Sequence, residues 1–257
     1  VIRFDLSLAV LGMVLALLGA SVAQMVGAFP DAHRGLIIYA REQKDLFVDP
    51  DLVQEAFRAR AGSQLAQRLR AQTVIVGTRT SPHTAYIGSG VIVAERRGTL
   101  TILTARHVVA HHGRRFVIFP QGIGRYAQRV VPSLSEDLAL VFARGIPGVS
   151  YHPVSVGTRN FNSGERFIVM GHPGAQNWTA SPGVAEHHLH ETLLLCPTCD
   201  RGDSGAGAFD RDGTLRGIVV SKATIVAPSA KTGNNFTLTA FEIEQPEAIR
   251  SFLRSAK

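Results

Sequence analysis

Cys199-Asp200-Arg201-Gly202-Asp203-Ser204-Gly205-Ala206-Gly207 is the stretch around which the 257-residue chain is organised. A serine sits between an aspartate and a glycine, with further glycines two residues before it and three after it. Glycines there let the backbone turn sharply and approach a bound carbonyl closely. Such a turn presents the Ser204 hydroxyl on an exposed bend and aims the N–H groups of Gly202 and Ser204 at one point, the arrangement of an oxyanion hole. The same residues also suit an ordinary turn, so the reading depends on what else the chain carries.

Two other places match. Leu100-Thr101-Ile102-Leu103-Thr104-Ala105-Arg106-His107-Val108-Val109 reads as an apolar strand running into a histidine, and Ser135-Glu136-Asp137-Leu138-Ala139-Leu140-Val141 puts an aspartate at the head of another. The order His107, Asp137, Ser204 is one of the chain orders of a hydrolytic triad. On the Thr-Ala-Arg-His-Val-Val, Asp-Leu-Ala-Leu and Gly-Asp-Ser-Gly segments the chain resembles a trypsin-like (chymotrypsin-fold) serine protease. Gly88-Ser89-Gly90 and Gly164-Glu165-Arg166-Phe167-Ile168-Val169-Met170-Gly171-His172-Pro173 resemble the HtrA-type branch, without its PDZ module. The resemblance covers about Thr73 to Lys257. Ala206 departs from it, standing where the family usually has a second glycine after the serine. So does Arg106, where relatives often have alanine.

The resemblance implies an all-β domain of two antiparallel six-stranded barrels with the active site between them. Short apolar runs with turn punctuation supply the strands. Barrel one, about 72–147, takes 73–76, 85–87, 90–93, 100–103, 116–119 and 138–141; barrel two, about 148–243, takes 167–170, 183–185, 192–195, 207–209, 215–220 and 236–241. A closing helix occupies about 244–257, opened by Gln245-Pro246-Glu247. Ile75-Val76-Gly77 is strand one rather than an activation terminus, since no basic residue immediately precedes it.

Ahead of the domain (72–257) lie two further segments. Residues 6–23 are nearly unbroken apolar sequence closed by Ser21-Val22-Ala23, a cleaved signal peptide or a retained membrane anchor; either exports the rest of the chain. Residues 24–71 are a helical pro-segment, docking arm or linker. Asp49-Pro50-Asp51 supplies an N-terminal cap, and Leu52, Ala56, Leu65 and Leu69 supply an apolar face as far as about Ala71.

In the implied chemistry His107 takes the proton of Ser204, a poor nucleophile by itself, and later protonates the leaving amine. Asp137 fixes the imidazole tautomer. Gly202 and Ser204 N–H groups stabilise the oxyanion by roughly 3 kcal/mol per donor. Asp203 holds the loop. The pocket wall takes Thr198 with Val220, Ser221 and Lys222; Asp200 favours basic side chains and Lys222 acidic ones, so no preference emerges. Cys196 and Cys199, the only two cysteines, form a local disulfide, remain free, or join His187 and His190 at metal-like spacing; the disulfide suits an exported protein. His111, His112 and His172 read as surface or satisfied polar residues.

No cofactor and no metal are expected, and the partner is a polypeptide substrate. The formal charge is +7, but the arginines are scattered (Arg68, Arg70, Arg96, Arg97, Arg114, Arg115) rather than gathered in a run, which argues for a solvated basic surface over a nucleic-acid footprint. Two competitors remain. A serine esterase uses Gly-x-Ser-x-Gly with its histidine after the serine, whereas Gly202-Asp203-Ser204-Gly205-Ala206 lacks the last glycine and His107 comes first. The other is a catalytically idle binding module on the same fold, against which the intact His107, Asp137 and Ser204 argue.

Overall fold

The computed structural model describes residues 64–256 except 82, 174–177, 189–190, 197 and 229–234. The chain separates into two compact units. One is Val48–Thr224 with Thr237–Lys257 and holds His107, Asp137 and Ser204; the other is Val1–Phe47 with Ile225–Phe236. The apolar run at 6–23 and the helix expected to begin at Asp49 lie outside the described residues.

The first sheet contains β1 (Thr73–Arg79), β2 (Ala85–Arg96), β3 (Thr99–Ala105), β4 (Arg114–Ile118), β5 (Gly124–Tyr126), β6 (Arg129–Pro132) and β7 (Leu138–Arg144), in the spatial order β5-β4-β1-β2-β3-β7-β6. All its pairs are antiparallel. It has seven strands in a ladder that curls into a half-barrel, and it meets the six-stranded expectation once β5 and β6 are counted as one bent segment. Residues 124–127 pair with β4, and the pairing continues through Ala127 N–H to Arg115 O at 3.0 Å. Residues 128–132 pair with β7, beginning with Gln128 N–H to Phe142 O at 2.7 Å. Counted as one strand, the segment makes the sixth, and the sheet returns on itself through the chain rather than through a ladder. Neither half announces itself in the sequence. Each is short, and Pro132, which lacks a donor, suits only a strand edge.

The second sheet is a closed barrel in the order β10-β13-β12-β11-β8-β9. Its strands are β8 (Arg166–Gly171), β9 (Thr179–His188), β10 (Glu191–Leu195), β11 (Gly207–Phe209), β12 (Leu215–Pro228) and β13 (Asn235–Glu244). Six strands with complete closure match the expectation and leave no edge to protect.

Three helices complete the described residues: α1 (Gln64–Ala71), α2 (Arg106–Val109) and α3 (Pro246–Ser255). Pro246 opens α3, where its missing N–H costs nothing. Ala66 and Leu69 of α1 and Ile249 and Phe252 of α3 join Leu103, Leu138, Met170, Phe209 and Ile218 in one core that draws on both sheets. Residues 64–71 therefore pack as part of the folded domain. Gln72, immediately after them, donates its amide to His152 O at 2.7 Å. Barrel one fills with Val74, Val76, Ile102, Val117, Phe119 and Val141. Barrel two fills with Phe161, Phe167, Val169, Leu194, Cys196 and Phe241.

Candidate active site

The apolar run of β3 ends at Ala105, and the chain enters the short helix α2 at once, so His107 stands on the rim of barrel one rather than inside it. The loop after β6 places Asp137 opposite. Three hydrogen bonds lock the two together: Arg106 N–H to Asp137 O at 3.0 Å, His107 N–H to Asp137 Oδ1 at 3.0 Å, and His107 Nδ1 to Asp137 Oδ2 at 2.6 Å. An ionised carboxylate only accepts, so Nδ1 carries the proton and Nε2 is left as a base. Glu244 supports the loop from the end of β13, its Oε1 accepting from Asp137 N–H at 2.9 Å. Burial, the nearby Glu136 and the Asp137 charge push the Glu244 carboxyl up.

Ser204 comes from barrel two, on the turn that leads into β11. Its backbone is bolted to barrel one, with Ser89 N–H donating to Ser204 O at 2.8 Å. Gly205 fixes the approach. Its φ is +84°, and a Cβ there would overlap Ser89 O and the Thr104 hydroxyl and lie 3.0 Å from Ala105 N. The residue after Ser204 therefore touches the residue two before His107. Gly88 lies close as well, where a Cβ would meet both Ser204 O and the Val108 side chain. The seam brings the segments that carry His107 and Ser204 together, although no hydrogen bond joins the Ser204 hydroxyl to His107 among the described residues. In substrate-free sites such bonds are commonly long and tighten only when substrate arrives.

Backbone hydrogen bonds hold the turn around Ser204, two within the turn and one to β12. Asp203 N–H donates to Asp200 O at 3.1 Å, Ala206 N–H to Asp203 O at 2.7 Å, and Gly205 N–H to Val219 O at 2.7 Å. Gly202 takes a φ of +102°. The N–H groups of Gly202 and Ser204 donate to no protein acceptor among the described residues, whereas the N–H groups of Asp203, Gly205 and Ala206 are all engaged.

Behind the loop is a buried polar cluster that sequence reasoning missed. The Ser89 hydroxyl donates to Gly202 O at 2.8 Å and lies 2.9 Å from His172 Nδ1. A hydroxyl has one proton, so Nδ1–H of His172 must donate to Ser89. Burial holds the His172 ring neutral, its pKa lowered to about 4. Its Nε2 has no partner among the described residues, so His172 is a buried residue with one ring nitrogen unsatisfied there rather than a surface one. Trp178 covers the ring edge-on at 4.7 Å. Asp203, fully buried, accepts from Asp200 N–H at 3.0 Å through Oδ2, while its Oδ1 has no partner among the described residues. Burial pushes its pKa up to about 7. The available signal was Gly88-Ser89-Gly90, which the sequence flagged without showing what Ser89 touches.

On the pocket side, Thr198 is exposed and Val220 is half-buried against the cores of both sheets. Ser221 donates to Glu242 Oε2 at 2.6 Å. Lys222 Nζ lies 2.8 Å from Asp200 Oδ1, so the two opposing specificity cues neutralise each other. The Lys222 ammonium holds the Asp200 carboxylate below the usual range. The sulfurs of Cys196 and Cys199 are bonded to each other, so neither is available to a metal. The side chains of His187 and His190 lie outside the described residues. Among the described residues no cluster of three or more His, Cys, Asp or Glu side chains suits a metal.

A family model for the trypsin-like peptidase domain matches residues 88–218, which is half of the chain and contains His107, Asp137 and Ser204. The chain belongs to the trypsin-like peptidase family. Two curated members, Serine protease Rv3671c of Mycobacterium tuberculosis strain H37Rv and Serine protease MT3772 of strain CDC 1551, are each 27% identical over 172 residues, 61% of this chain. The match spans 40% of the length of each relative. Among solved structures, the active form of the Rv3671c protease superposes with a TM-score of 0.58 at 18% identity, covering 79% of this chain and 85% of that one. The serine endoprotease from Yersinia pestis superposes with a TM-score of 0.54 at 22% identity, covering 75% and 65%. At such identities the superpositions establish the trypsin-like fold, as the paired sheets had indicated.

Proposed function

We propose that this trypsin-like peptidase is a serine endopeptidase working through an acyl-enzyme, with His107, Asp137 and Ser204 as its triad. The observation that carries the reading is the 2.6 Å bond between His107 Nδ1 and Asp137 Oδ2, on a rim stitched to the Ser204 turn through Ser89 and Gly205. Both partners are partly exposed, and an exposed pair of this kind contributes little to stability, so its value lies in orienting the ring. His107 Nε2 accepts the Ser204 proton as Oγ bonds to the substrate carbonyl carbon. The carbonyl oxygen becomes an oxyanion, and the otherwise unengaged N–H groups of Gly202 and Ser204 stabilise it. Collapse of the tetrahedral intermediate breaks the C–N bond, with the His107 proton passing to the amine. Water, deprotonated by the same imidazole, then releases the acid and regenerates Ser204.

Export is part of the same reading. Residues 6–23 supply the apolar run, as a signal peptide or an anchor, and the Cys196–Cys199 bond suits an oxidising compartment. Among the described residues no helix is long and apolar enough to cross a membrane. The domain layout proposed is 72–257 for the peptidase, preceded by a helical segment at 24–71 whose last turns dock onto the core.

A fluorophosphonate probe tests the assignment. Labelling of the wild-type protein that disappears in Ser204→Ala supports it, and an unlabelled wild type sinks it in favour of an idle binding module. Casein cleavage against turnover of esters alone then separates peptidase from esterase.

A further inference from the structure

Barrel one holds a groove of about 690 Å³ beside the helix that carries His107. Arg106, Arg114, Arg115 and Arg129 line it, and no carboxylate does. The fold has gathered here side chains that look scattered in the chain. Two of the four have tasks within the protein. Arg115 gives its guanidinium to Val109 O and Gly113 O, shaping the loop after α2. Arg106 donates to Ser133 O at 3.1 Å, with its Nε 4.0 Å from Asp137 Oδ1. The other two are available. Arg114 lies over the ring of Tyr126 at 3.7 Å and Arg129 over Phe142 at 4.2 Å, and neither pairs with a carboxylate among the described residues. Stacking holds a guanidinium in place without using its N–H donors, which a carboxylate can then engage in a bidentate pair.

We propose that this groove binds an acidic stretch of the polypeptide substrate lying a few residues from the bond that is cut. The inference rests on the peptidase reading of the triad. The groove begins on α2 itself, at Arg106 and Val109 on either side of His107 and Val108. Gly88 lies against both Ser204 O and the Val108 side chain, so Ser204 is next to the helix on which the groove begins, and an extended peptide advancing ~3.3 Å per residue runs from one to the other. That continuity favours a peptide over a nucleic acid, as does a lining whose one aromatic ring, Tyr126, is already covered by Arg114.

Two peptide substrates, identical except for a Glu-Glu-Glu or a Gln-Gln-Gln flank, test it, with the flank placed on each side of the cleavage site in turn. The expected ratio of kcat/KM, Glu over Gln, is on the order of tenfold for one placement in wild-type protein. It falls toward one in Arg114→Gln/Arg129→Gln and at high salt. A wild-type ratio near one for both placements, or a preference that survives the double substitution, overturns the proposal. Arg114→Lys and Arg129→Lys retain charge without the planar fork, and they should keep only part of the ratio should the double variant fold poorly. Binding of the labelled Glu peptide to Ser204→Ala by fluorescence anisotropy stands apart from catalysis. If wild type cuts neither peptide, the peptidase reading fails, and the groove is still decided: arginine-dependent binding supports it and its lack refutes it. A single-stranded DNA of equal charge that binds more tightly than the peptide overturns the assignment to peptide.

Discussion

The Ser89 hydroxyl donates to the carbonyl oxygen of Gly202 at 2.8 Å, crossing from barrel one to the loop that carries Ser204. The bond fixes the peptide between Gly202 and Asp203, and through it the turn that carries the N–H groups of Gly202 and Ser204, the proposed oxyanion donors. His172 Nδ1–H donates to the same oxygen, which leaves the one Ser89 proton for Gly202 O. A side chain remote in sequence from Ser204 thus holds the Ser204 loop and is itself held by a second buried side chain, His172.

Ser89→Ala removes this bond and leaves Gly202 O and His172 Nδ1 unpaired in a buried site. Unfolding by urea should show a loss of about 1–3 kcal/mol. If the loop is held as described, kcat falls roughly tenfold with KM little changed, since the oxyanion donors act mainly in the transition state. An unaltered kcat would show that the loop keeps its geometry unaided.

The pH dependence of stability should reflect two buried groups that pull in opposite directions. Asp203 titrates at about 7 in the folded protein against 3.8 ordinarily, so between those values the folded state holds the extra proton and stability falls as pH rises. His172 titrates at about 4 against 6.5, so the unfolded state holds the extra proton and stability rises with pH over that range. Wild-type protein should therefore be nearly flat from about pH 4 to 6.5. Asp203→Asn leaves only the His172 slope, a gain of up to roughly 1.4 kcal/mol per pH unit. Urea titrations at several pH values read both slopes, and a flat Asp203→Asn profile would refute the assignment.

Gly205→Ala meets two penalties at once. The left-handed φ costs an L-residue roughly 1–2 kcal/mol, and the new methyl runs into the Ser89 carbonyl and the Thr104 hydroxyl. A stability loss above ~2 kcal/mol is expected, together with loss of fluorophosphonate labelling as the seam opens. Thermal melts and labelling on the same sample decide it.

Reduction of Cys196–Cys199 should be mild. The bond closes a very short loop, for which chain entropy accounts for about 2 kcal/mol. A modest drop in melting temperature with dithiothreitol is expected, and unfolding on reduction at room temperature would contradict it.

The chain by itself determined the trypsin-like fold class, the strands that run up to His107 and away from Asp137, the turn at Ser204, and the closing helix; it also supplied the order His107, Asp137, Ser204 on which the proposed triad rests. Each is written in local signals: an apolar run, a capping proline, glycines around a serine. β5 and β6 were not legible, because short segments that switch partners at Gln128 carry no period. Nor was the cluster of Ser89, His172 and Asp203, or the mutual neutralisation of Asp200 and Lys222. The arginines of the groove looked dispersed for the same reason. Those features depend on which residues from different strands face one another, and that is set by register and barrel closure. Only the folded backbone chooses between partners that a linear pattern leaves equivalent.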